Sequence, residues 1–314
     1  MSVARSFVVG GAGFIGSHLV ERLVADGEVT VYDNLSVGKR EFLSNALQGA
    51  CTLVQGDALD LPALERAMAG HGTVFHLAAN PEARAGLANP RLDLEQGTIA
   101  TWNVLEAMRR TGAKRLVFAS SGTMYGDTAQ ACAEGDLGQL PISLYGASKF
   151  ACEAMISAFT ECFGLSAWIY RFGNVVGPRG THGAALDFLN KLRNNTRELE
   201  VLGDGRQSKP YVHVSDCVSG VLFGLEHANE RLNVHNIAPP DYTTVRRIAE
   251  LCIAASPYPE ARIRYTGGDR GWPGDVPHSR LNAEKLATLG FRVSMSSDQA
   301  VEAAVRALAV QVFG

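Results

Sequence analysis

The sequence predicts an α/β fold in which a doubly wound parallel sheet is followed by a smaller mixed α/β lobe. Short apolar runs alternate with helical stretches through the first half of the chain, which is typical of a parallel sheet covered on both faces. The first apolar run ends in a cluster of glycines, and after about residue 170 prolines and glycines break the rhythm. We therefore expect a first domain at residues 1–170 and a C-terminal lobe at residues 171–314, some of whose segments return to the sheet.

The elements of the first domain follow from the spacing of apolar residues. A buried strand is predicted at residues 6–9, and a helix at residues 14–25, where apolar side chains recur at helical spacing. The second strand, residues 29–32, ends at Asp33. By the same patterns, further strands are predicted at residues 51–54, 73–75, 115–119 and 167–171, and further helices at residues 91–110 and 144–163.

Composition excludes several classes of protein. Hydrophobic residues make up 46% of the 314 residues and charged residues 19%, so we expect a large core and no extensive disorder. The net charge is -3 and no stripe of lysine and arginine occurs, which argues against a nucleic acid or a membrane as partner. No apolar run of about 18 residues is present, so no membrane span is expected, and the glycine-rich N-terminus does not resemble a signal peptide.

The chain has six cysteines, and none of them forms a Cys-x-x-Cys pair. No short cluster of cysteine and histidine has the spacing of a zinc site, so no metal is expected. In a chain of this length, cysteines in such a pattern are typical of reduced, buried thiols. We therefore expect a cytoplasmic protein.

A glycine-rich loop connects the first strand to the first helix. Gly10, Gly13 and Gly16 are spaced as in the loops that bind the pyrophosphate of a dinucleotide in a Rossmann-type domain. Such glycines permit the tight turn and the close approach of backbone N–H groups, and the helix N-terminus adds partial positive charge. The alternative is a purely structural turn, but the strand–loop–helix context favours a nucleotide site.

Asp33 ends the next strand about 20 residues later, where an acidic side chain can bond ribose hydroxyls. Its charge disfavours a 2′-phosphate, so NAD is the predicted cofactor. Lys39 and Arg40 follow closely and leave NADP as an alternative.

Three residues suggest acid–base chemistry. Tyr145 and Lys149 lie four apart in a predicted helix and so share a face, and a nearby ammonium favours a phenolate that can act as a base. Ser121 follows an apolar strand, at the sheet edge where such folds bind ligands. The alternatives are a surface Tyr–Lys pair and a serine that caps a turn.

With these residues in place, the chain resembles the extended short-chain dehydrogenase/reductase family, and within it the UDP-galactose (UDP-glucose) 4-epimerases. The resemblance runs nearly end to end. It rests on residues 10–16, 33–36, 56–57, 76–79, 120–121, 125–126, 145–149, 171, 174, 177–179 and 203–205.

The resemblance implies roles for specific positions. Ser121, Tyr145 and Lys149 would be the catalytic set of an NAD-dependent enzyme. The residues implied in cofactor binding are Gly10, Gly13, Phe14, Ile15, Gly16, Asp33, Asn34, Leu35, Ser36, Gly38, Asp57, Ala58, Leu77, Ala78, Ala79, Tyr145 and Lys149. Those implied in binding a nucleotide-diphosphate sugar, a UDP-sugar first of all, are Arg84, Ser121, Thr123, Tyr145, Asn174, Lys209, Tyr211, Arg270 and Asp275.

The implied reaction is epimerisation at C4 through a transient 4-keto sugar, in a homodimer formed by the helices at residues 91–110 and 144–163. The related 4,6-dehydratases have an Asp-Glu pair directly after the serine, where this chain has Gly122 and Thr123. A reductase or dehydratase acting on a nucleotide sugar is the alternative enzyme, and a non-catalytic NAD sensor the alternative from another class. Departures from the family pattern are Gly97, Gly173, Lys209-Pro210 and the longer segment 270–275.

Overall fold

The computed structural model describes residues 5–136 and 139–314, which divide into two compact units. The first unit comprises residues 1–121, 144–171 and 221–235, of which the first four residues lie outside the described part. The second comprises residues 122–143, 172–220 and 236–314. Each unit is therefore built from three separate segments. The division into domains at residues 1–170 and 171–314 stays a prediction.

A seven-stranded sheet forms the core of the first unit. Its strands are β1 (Arg5–Val9), β2 (Glu28–Asp33), β3 (Cys51–Gln55), β4 (Thr73–His76), β5 (Arg115–Ser121), β6 (Ser166–Phe172) and β11 (Leu232–Ile237). Their order in the sheet is β11-β6-β5-β4-β1-β2-β3. The chain runs outward from β1 to β3, then returns to the other side of β1 as β4 and β5. The pairs from β3 to β5 are parallel. This reversal confirms the predicted doubly wound, Rossmann-type α/β fold.

The helices of this unit are α1 (Phe14–Leu23), α2 (Leu61–Met68), α3 (Arg91–Asp93), α4 (Ala100–Thr111) and α5 (Leu144–Phe163). Helix α5 has the predicted bounds, whereas α1 ends two residues early. Helix α2 was not predicted, although the Asp60 side chain accepts a bond from the Ala63 backbone N–H as an N-cap and Pro62 follows at the start of the helix. The core between sheet and helices includes Phe7, Leu64, Leu105, Phe118 and Ile156.

The predicted continuous helix at residues 91–110 is wrong in one respect. Between α3 and α4 the backbone forms a π-helical turn, Leu94–Ile99. A Cβ atom at Gly97 would overlap the Ser148 Oγ of α5. The absence of a side chain at Gly97 therefore permits the close packing of this turn against α5.

The second unit has its own core and smaller sheets. Its strands are β7 (Asn174–Val176), β8 (Glu198–Val201), β9 (Ser208–Lys209), β10 (Tyr211–His213), β12 (Thr243–Thr244) and β13 (Arg262–Tyr265). They form two-stranded sheets that pair β10 with β7, β12 with β9, and β13 with β8. The helices that belong wholly to this unit are α6 (Ala184–Asn194), α8 (Val245–Ala255), α9 (Glu284–Thr288) and α10 (Ser297–Phe313), and α7 (Val214–His227) runs from it into the first unit.

Residues from several of these helices and strands share one apolar cluster that includes Phe188, Leu199, Ile248 and Val305. The predicted mixed α/β character of the C-terminal lobe is confirmed. In the described part of the chain, no helix has the length and apolar character that crossing a membrane requires.

Candidate active site

The glycine loop between β1 and α1 has no room for side chains. Gly10 has a φ of +82°, and a Cβ atom there would lie 2.5 Å from the Ala78 backbone nitrogen. A Cβ at Gly16 would overlap the Gly10 carbonyl oxygen, and one at Gly13 would lie 3.3 Å from that same oxygen. The three glycines therefore permit a compact turn that side chains at these positions would crowd.

The N-terminus of α1 has no competing anion of its own. Gly13 is the N-cap, no side chain accepts a bond there, and the first turn contains no acidic residue. The helix dipole and the first backbone N–H groups are therefore free of a side-chain cap, as a pyrophosphate site requires.

Asp33, at the end of β2, braces this loop. Its Oδ2 accepts a 2.9 Å hydrogen bond from the Ala12 backbone N–H, and its Oδ1 accepts one of 2.9 Å from Leu35. Burial raises the pKa of this carboxyl, while the two backbone N–H groups act in the opposite direction. The carboxylate thus positions the loop directly, which is a role that the sequence did not indicate. Each of its oxygens keeps a further lone pair that can accept another hydrogen bond.

Several other predicted cofactor residues lie around this loop. Asn34 donates a 3.1 Å hydrogen bond to Asp57, and Ser36 donates one of 3.0 Å from its backbone N–H to Asn34. The backbone N–H groups of Leu77 and Ala78 bond the Val9 carbonyl oxygen, which places the segment after β4 beside the end of β1. The structure thus brings both predicted groups to the edge of the sheet where β1, β2 and β4 end.

The predicted catalytic residues meet where β5 ends beside α5. Ser121 forms a side-chain hydrogen bond with Tyr145. Lys149 Nζ lies 5.7 Å from the centroid of the Tyr145 ring and donates a 2.7 Å hydrogen bond to the Ala119 carbonyl oxygen. Lys149 is 3% exposed, and Tyr145 is half-buried. A hydroxyl, a phenol and an ammonium are therefore assembled in the first unit, as acid–base chemistry requires.

A buried ion pair lies behind this group. Glu153, one helical turn after Lys149, accepts bonds from Arg171 Nη2 at 2.7 Å and from Arg171 Nε at 3.1 Å. It also accepts a 2.5 Å bond from the Ser120 hydroxyl. Glu153 is not among the predicted site residues, although its spacing of four from Lys149 and eight from Tyr145 places it on the same helix face.

Two further buried polar residues lie near Lys149. His76 Nε2 bonds Thr101 Oγ1 at 3.0 Å, while its Nδ1 has no hydrogen-bond partner in the described part of the chain. Asp93 accepts a 3.0 Å bond from Asn80 at Oδ1, and its Oδ2 likewise finds no partner among the described residues. His76 is fully buried and Asp93 is 2% exposed.

The predicted phosphate-binding cations of the second unit are paired with acids. Lys209 Nζ lies 2.7 Å from Asp275 Oδ1, and Arg270 Nη2 lies 2.6 Å from Asp127 Oδ2. Arg270 also donates a 3.2 Å bond to the Asp275 carbonyl oxygen. Lys209, Arg270 and Asp275 therefore form one cluster, and Asp127 is a member that the sequence did not indicate.

Asn174 and Tyr211 are direct partners in the parallel pairing of β7 with β10. Thr123 lies in a 3₁₀ turn directly after β5, whereas Arg84 is exposed in a short 3₁₀ helix of the first unit. The Gly173 departure has a structural reason, since a Cβ there would lie 2.9 Å from the Pro210 carbonyl oxygen. The roles of all these residues in binding a substrate stay predictions.

Comparison with known proteins decides the family. A model of the NAD dependent epimerase/dehydratase family matches residues 6–238. The chain belongs to this family. The resemblance to extended short-chain dehydrogenases/reductases is thereby confirmed, and NAD is the cofactor.

Individual relatives of this epimerase/dehydratase are nucleotide-sugar enzymes. A crystal structure of a UDP-galactose 4-epimerase is 38% identical, covers 98% of this chain and 99% of its own, and has a TM-score of 0.87. The UDP-glucose 4-epimerase of Azospirillum brasilense is 32% identical over 302 residues, which are 90% of this chain and 85% of the relative. A UDP-N-acetylglucosamine 4-epimerase from Methanobrevibacter ruminantium M1, solved with UDP-N-acetylmuramic acid, is 28% identical with a TM-score of 0.86 and covers 99% of this chain and 100% of its own.

The loop geometry of this family member fits NAD. Gly10, Gly13 and Gly16 would hold the pyrophosphate, since the N-terminus of α1 has no side-chain cap and no acid in its first turn. Asp33 ends β2, where a carboxylate would disfavour a 2′-phosphate. Among the described residues, no group of histidine, cysteine and acidic side chains could hold a metal ion, and the six cysteines are free thiols, all buried except Cys162.

In this enzyme, burial affects the pKa of Tyr145 more strongly than the hydrogen bond that favours its phenolate form. Burial raises the pKa of Tyr145 to about 12; the bond from Ser121 lowers it, and Asp93 and Cys152 raise it further. Burial lowers the pKa of Lys149, while Cys152, Glu153 and Asp93 act in the opposite direction. Tyr145 therefore needs additional positive charge beside it to act as a base near neutral pH.

Proposed function

We propose that this enzyme is a nucleotide-sugar C4 epimerase that works by transient oxidation of the sugar. UDP-glucose and UDP-galactose are the first candidate substrates, followed by UDP-N-acetylhexosamines and UDP-hexuronates. The observation that supports this most is the assembly of Ser121, Tyr145 and Lys149 at the end of β5, without an acidic pair after Ser121. The 4-epimerase relatives, which differ in their sugars, support the reaction more strongly than any one sugar.

NAD, when bound, supplies a hydride acceptor, a hydride donor in its reduced form, and the positive charge of its nicotinamide ring. The residues of the chain bind and transfer the proton. Tyr145 removes the proton of the sugar 4-OH with its phenolic oxygen and later returns it. Ser121 donates a hydrogen bond to the reacting oxygen, and the buried ammonium of Lys149 stabilises the phenolate.

Epimerisation requires the 4-keto sugar to turn over while the rest of the substrate stays bound. We propose that Asn174, Lys209 and Arg270 hold the diphosphate, and that Tyr211 and Asp275 hold the nucleoside. Lysine contributes a point charge, whereas arginine can fork two bonds to phosphate oxygens. Because Asp275 and Asp127 pair these cations, binding of a diphosphate involves an exchange of partners.

A dehydratase is less well supported. Elimination of water needs an acid and a base next to the serine, and Gly122 and Thr123 supply neither near neutral pH. A Cβ at Gly122 would lie 3.0 Å from both methyl carbons of the buried Leu281 side chain. A side chain at this position would therefore be in unusually tight contact with Leu281, so the packing of the second unit favours glycine.

A reductase and a non-catalytic NAD sensor also have less support. A reductase would release a product whose oxidation state differs from that of its substrate, and a sensor would have no need for the Ser121–Tyr145–Lys149 set. We also propose that the enzyme is a cytoplasmic homodimer. Exposed apolar residues on the predicted interface support the dimer, namely Leu94, Ile99 and Trp102 with exposed fractions of 51%, 38% and 43%.

The test is an incubation of the purified protein, without added NAD, with UDP-glucose, UDP-N-acetylglucosamine and UDP-glucuronate in separate reactions. Products are resolved by anion-exchange chromatography. We expect a C4 epimer from at least one of them, and none from the Tyr145→Phe variant. Accumulation of a 4-keto product would favour a dehydratase instead, and no conversion with NAD supplied would contradict the proposed sugar classes.

A further inference from the structure

Three consecutive residues at the end of β5 are bonded by three side chains of α5. Lys149 Nζ bonds the Ala119 carbonyl oxygen at 2.7 Å, Glu153 Oε1 accepts from the Ser120 hydroxyl at 2.5 Å, and Tyr145 bonds Ser121. The three helix residues are spaced by four, so they form one row along the helix. The proposed catalytic pair therefore belongs to a longer row that ends at Glu153.

Glu153 connects this row to a third element. Arg171 on β6 presents its guanidinium to both Glu153 oxygens, and both residues are only 7% exposed. The carboxylate thus has hydrogen bonds to β5 and β6 while it belongs to α5. A buried ion pair of this kind rarely adds much stability compared with an apolar replacement, so a role in placement or charge is the better explanation for it.

We propose that Glu153, held by Arg171, is a positioning residue for the Tyr145–Lys149 pair. Its carboxylate fixes Ser120 and with it the placement of Ser121, and its negative charge favours the ammonium form of Lys149 against the effect of burial. The kinetic part of this inference rests on the proposed epimerase function, whereas the charge on Lys149 does not.

The groups around Lys149 determine how strongly removal of the Glu153 charge changes the titration of Lys149. From α5 it is faced by Tyr145, Cys152 and Glu153, from α3 by the buried carboxyl of Asp93, and from β5 by the Phe118 ring at 4.8 Å. His76 on β4 also lies within electrostatic reach, and burial keeps it neutral because its pKa falls to about 3. Asp93 remains when the Glu153 charge is removed, and the guanidinium of Arg171 on β6 then loses its partner, so both charges contribute to the expected shift.

Two substitutions of Glu153 distinguish the effect of its side-chain length from the effect of its charge. Glu153→Gln keeps the length of the side chain but removes its charge, whereas Glu153→Asp keeps the charge but shortens the reach to Ser120. Ser120→Ala removes the bonded hydroxyl and leaves the Glu153–Arg171 pair intact. The matched control is Glu106→Gln on α4, because Glu106 is also 7% exposed and is paired with Arg109 and Arg110 at 2.7 Å.

Two readouts are measured on the full-length enzyme. The first is the pH profile of kcat and KM for the accepted nucleotide sugar. The second is the titration of Lys149 in protein labelled with ¹³C at the lysine Cε, whose resonance is assigned by its absence in Lys149→Met. The second readout needs no turnover, so failure of the proposed function and failure of this inference can be distinguished.

We expect Glu153→Gln to move the Lys149 titration and the alkaline limb of the kcat profile to lower pH. Glu153→Asp and Ser120→Ala should lower kcat by up to about a hundredfold, with little change in KM and with the alkaline limb in place. Glu106→Gln should change neither readout. The inference would be overturned if the Lys149 titration does not move in Glu153→Gln and kcat is normal in Ser120→Ala. If the Glu153 variants do not fold, a normal kcat in Ser120→Ala is enough to overturn it.

Discussion

Lys149 donates a 2.7 Å hydrogen bond to the carbonyl oxygen of Ala119, two residues before Ser121. This bond fixes the only buried lysine among the described residues to the strand that presents the proposed catalytic serine. The distance between cation and hydroxyl is therefore determined by the packing of α5 on β5.

The Tyr145→Phe variant tests the proton-transfer role. It removes only the phenolic oxygen, so we expect kcat to fall by about a hundredfold or more while NAD stays bound. The measurement is turnover of the accepted nucleotide sugar, together with the NAD content of the purified protein. Tyr258→Phe is the control, since Tyr258 lies in the second unit and packs edge-on against Phe313. Near-normal turnover of Tyr145→Phe would contradict the mechanism.

Asp33→Ala tests how the loop is held. The substitution removes the acceptor of the Ala12 and Leu35 N–H groups, and hydrogen bonds to a charged group contribute roughly 1.5–3 kcal/mol each. We expect NAD binding to weaken by at least about tenfold, with a smaller effect on the affinity for the nucleotide sugar. Calorimetric titration of both ligands measures this, with the exposed Asp26→Ala as control. Unchanged NAD affinity would refute the role of Asp33.

His76 should make the protein less stable in acid. Its pKa is lowered by burial from 6.5 to about 3, so the unfolded chain takes up a proton below pH 6.5 that the folded protein does not bind until about pH 3. Its contribution to the free energy of unfolding therefore falls as the pH decreases through that window, by about 1.4 kcal/mol per pH unit.

Urea unfolding at pH 7 and pH 5 checks this expectation. Between these two values, wild type should lose about 2 kcal/mol more than His76→Gln does. The exposed His278→Gln should behave as wild type. An equal loss in wild type and in His76→Gln would show that His76 is protonated in the folded protein.

The proposed homodimer predicts a specific effect of Trp102→Glu. Trp102 is 43% exposed on α4, and a buried charge in an apolar interface is unfavourable unless it is paired. We expect light scattering to give the dimer mass for wild type and the monomer mass for this variant. Leu289→Glu in the second unit, where Leu289 is 39% exposed, should remain dimeric. A monomeric wild type would contradict the dimer.

The features that the sequence predicted well depend on neighbours along the chain. The glycine loop, the acidic end of β2 and the Tyr145–Lys149 spacing follow from turn geometry and from the periods of strand and helix, so they are visible in a single sequence. The family resemblance then added roles for residues that no local pattern marks, such as Asn174 and Tyr211.

The remaining features depend on contacts between segments that are distant in sequence. The π-helical turn requires Gly97 to meet Ser148, and the bond from Lys149 to Ala119 requires α5 to pack on β5. The pairing of Arg270 with Asp127 joins residues from two separate segments of the second unit. No periodicity encodes such contacts, because a side chain's partner is selected by packing after the elements have formed. The sequence by itself thus determined the α/β order, the NAD loop and the candidate acid–base pair, whereas the tertiary structure alone decided which buried charges surround that pair.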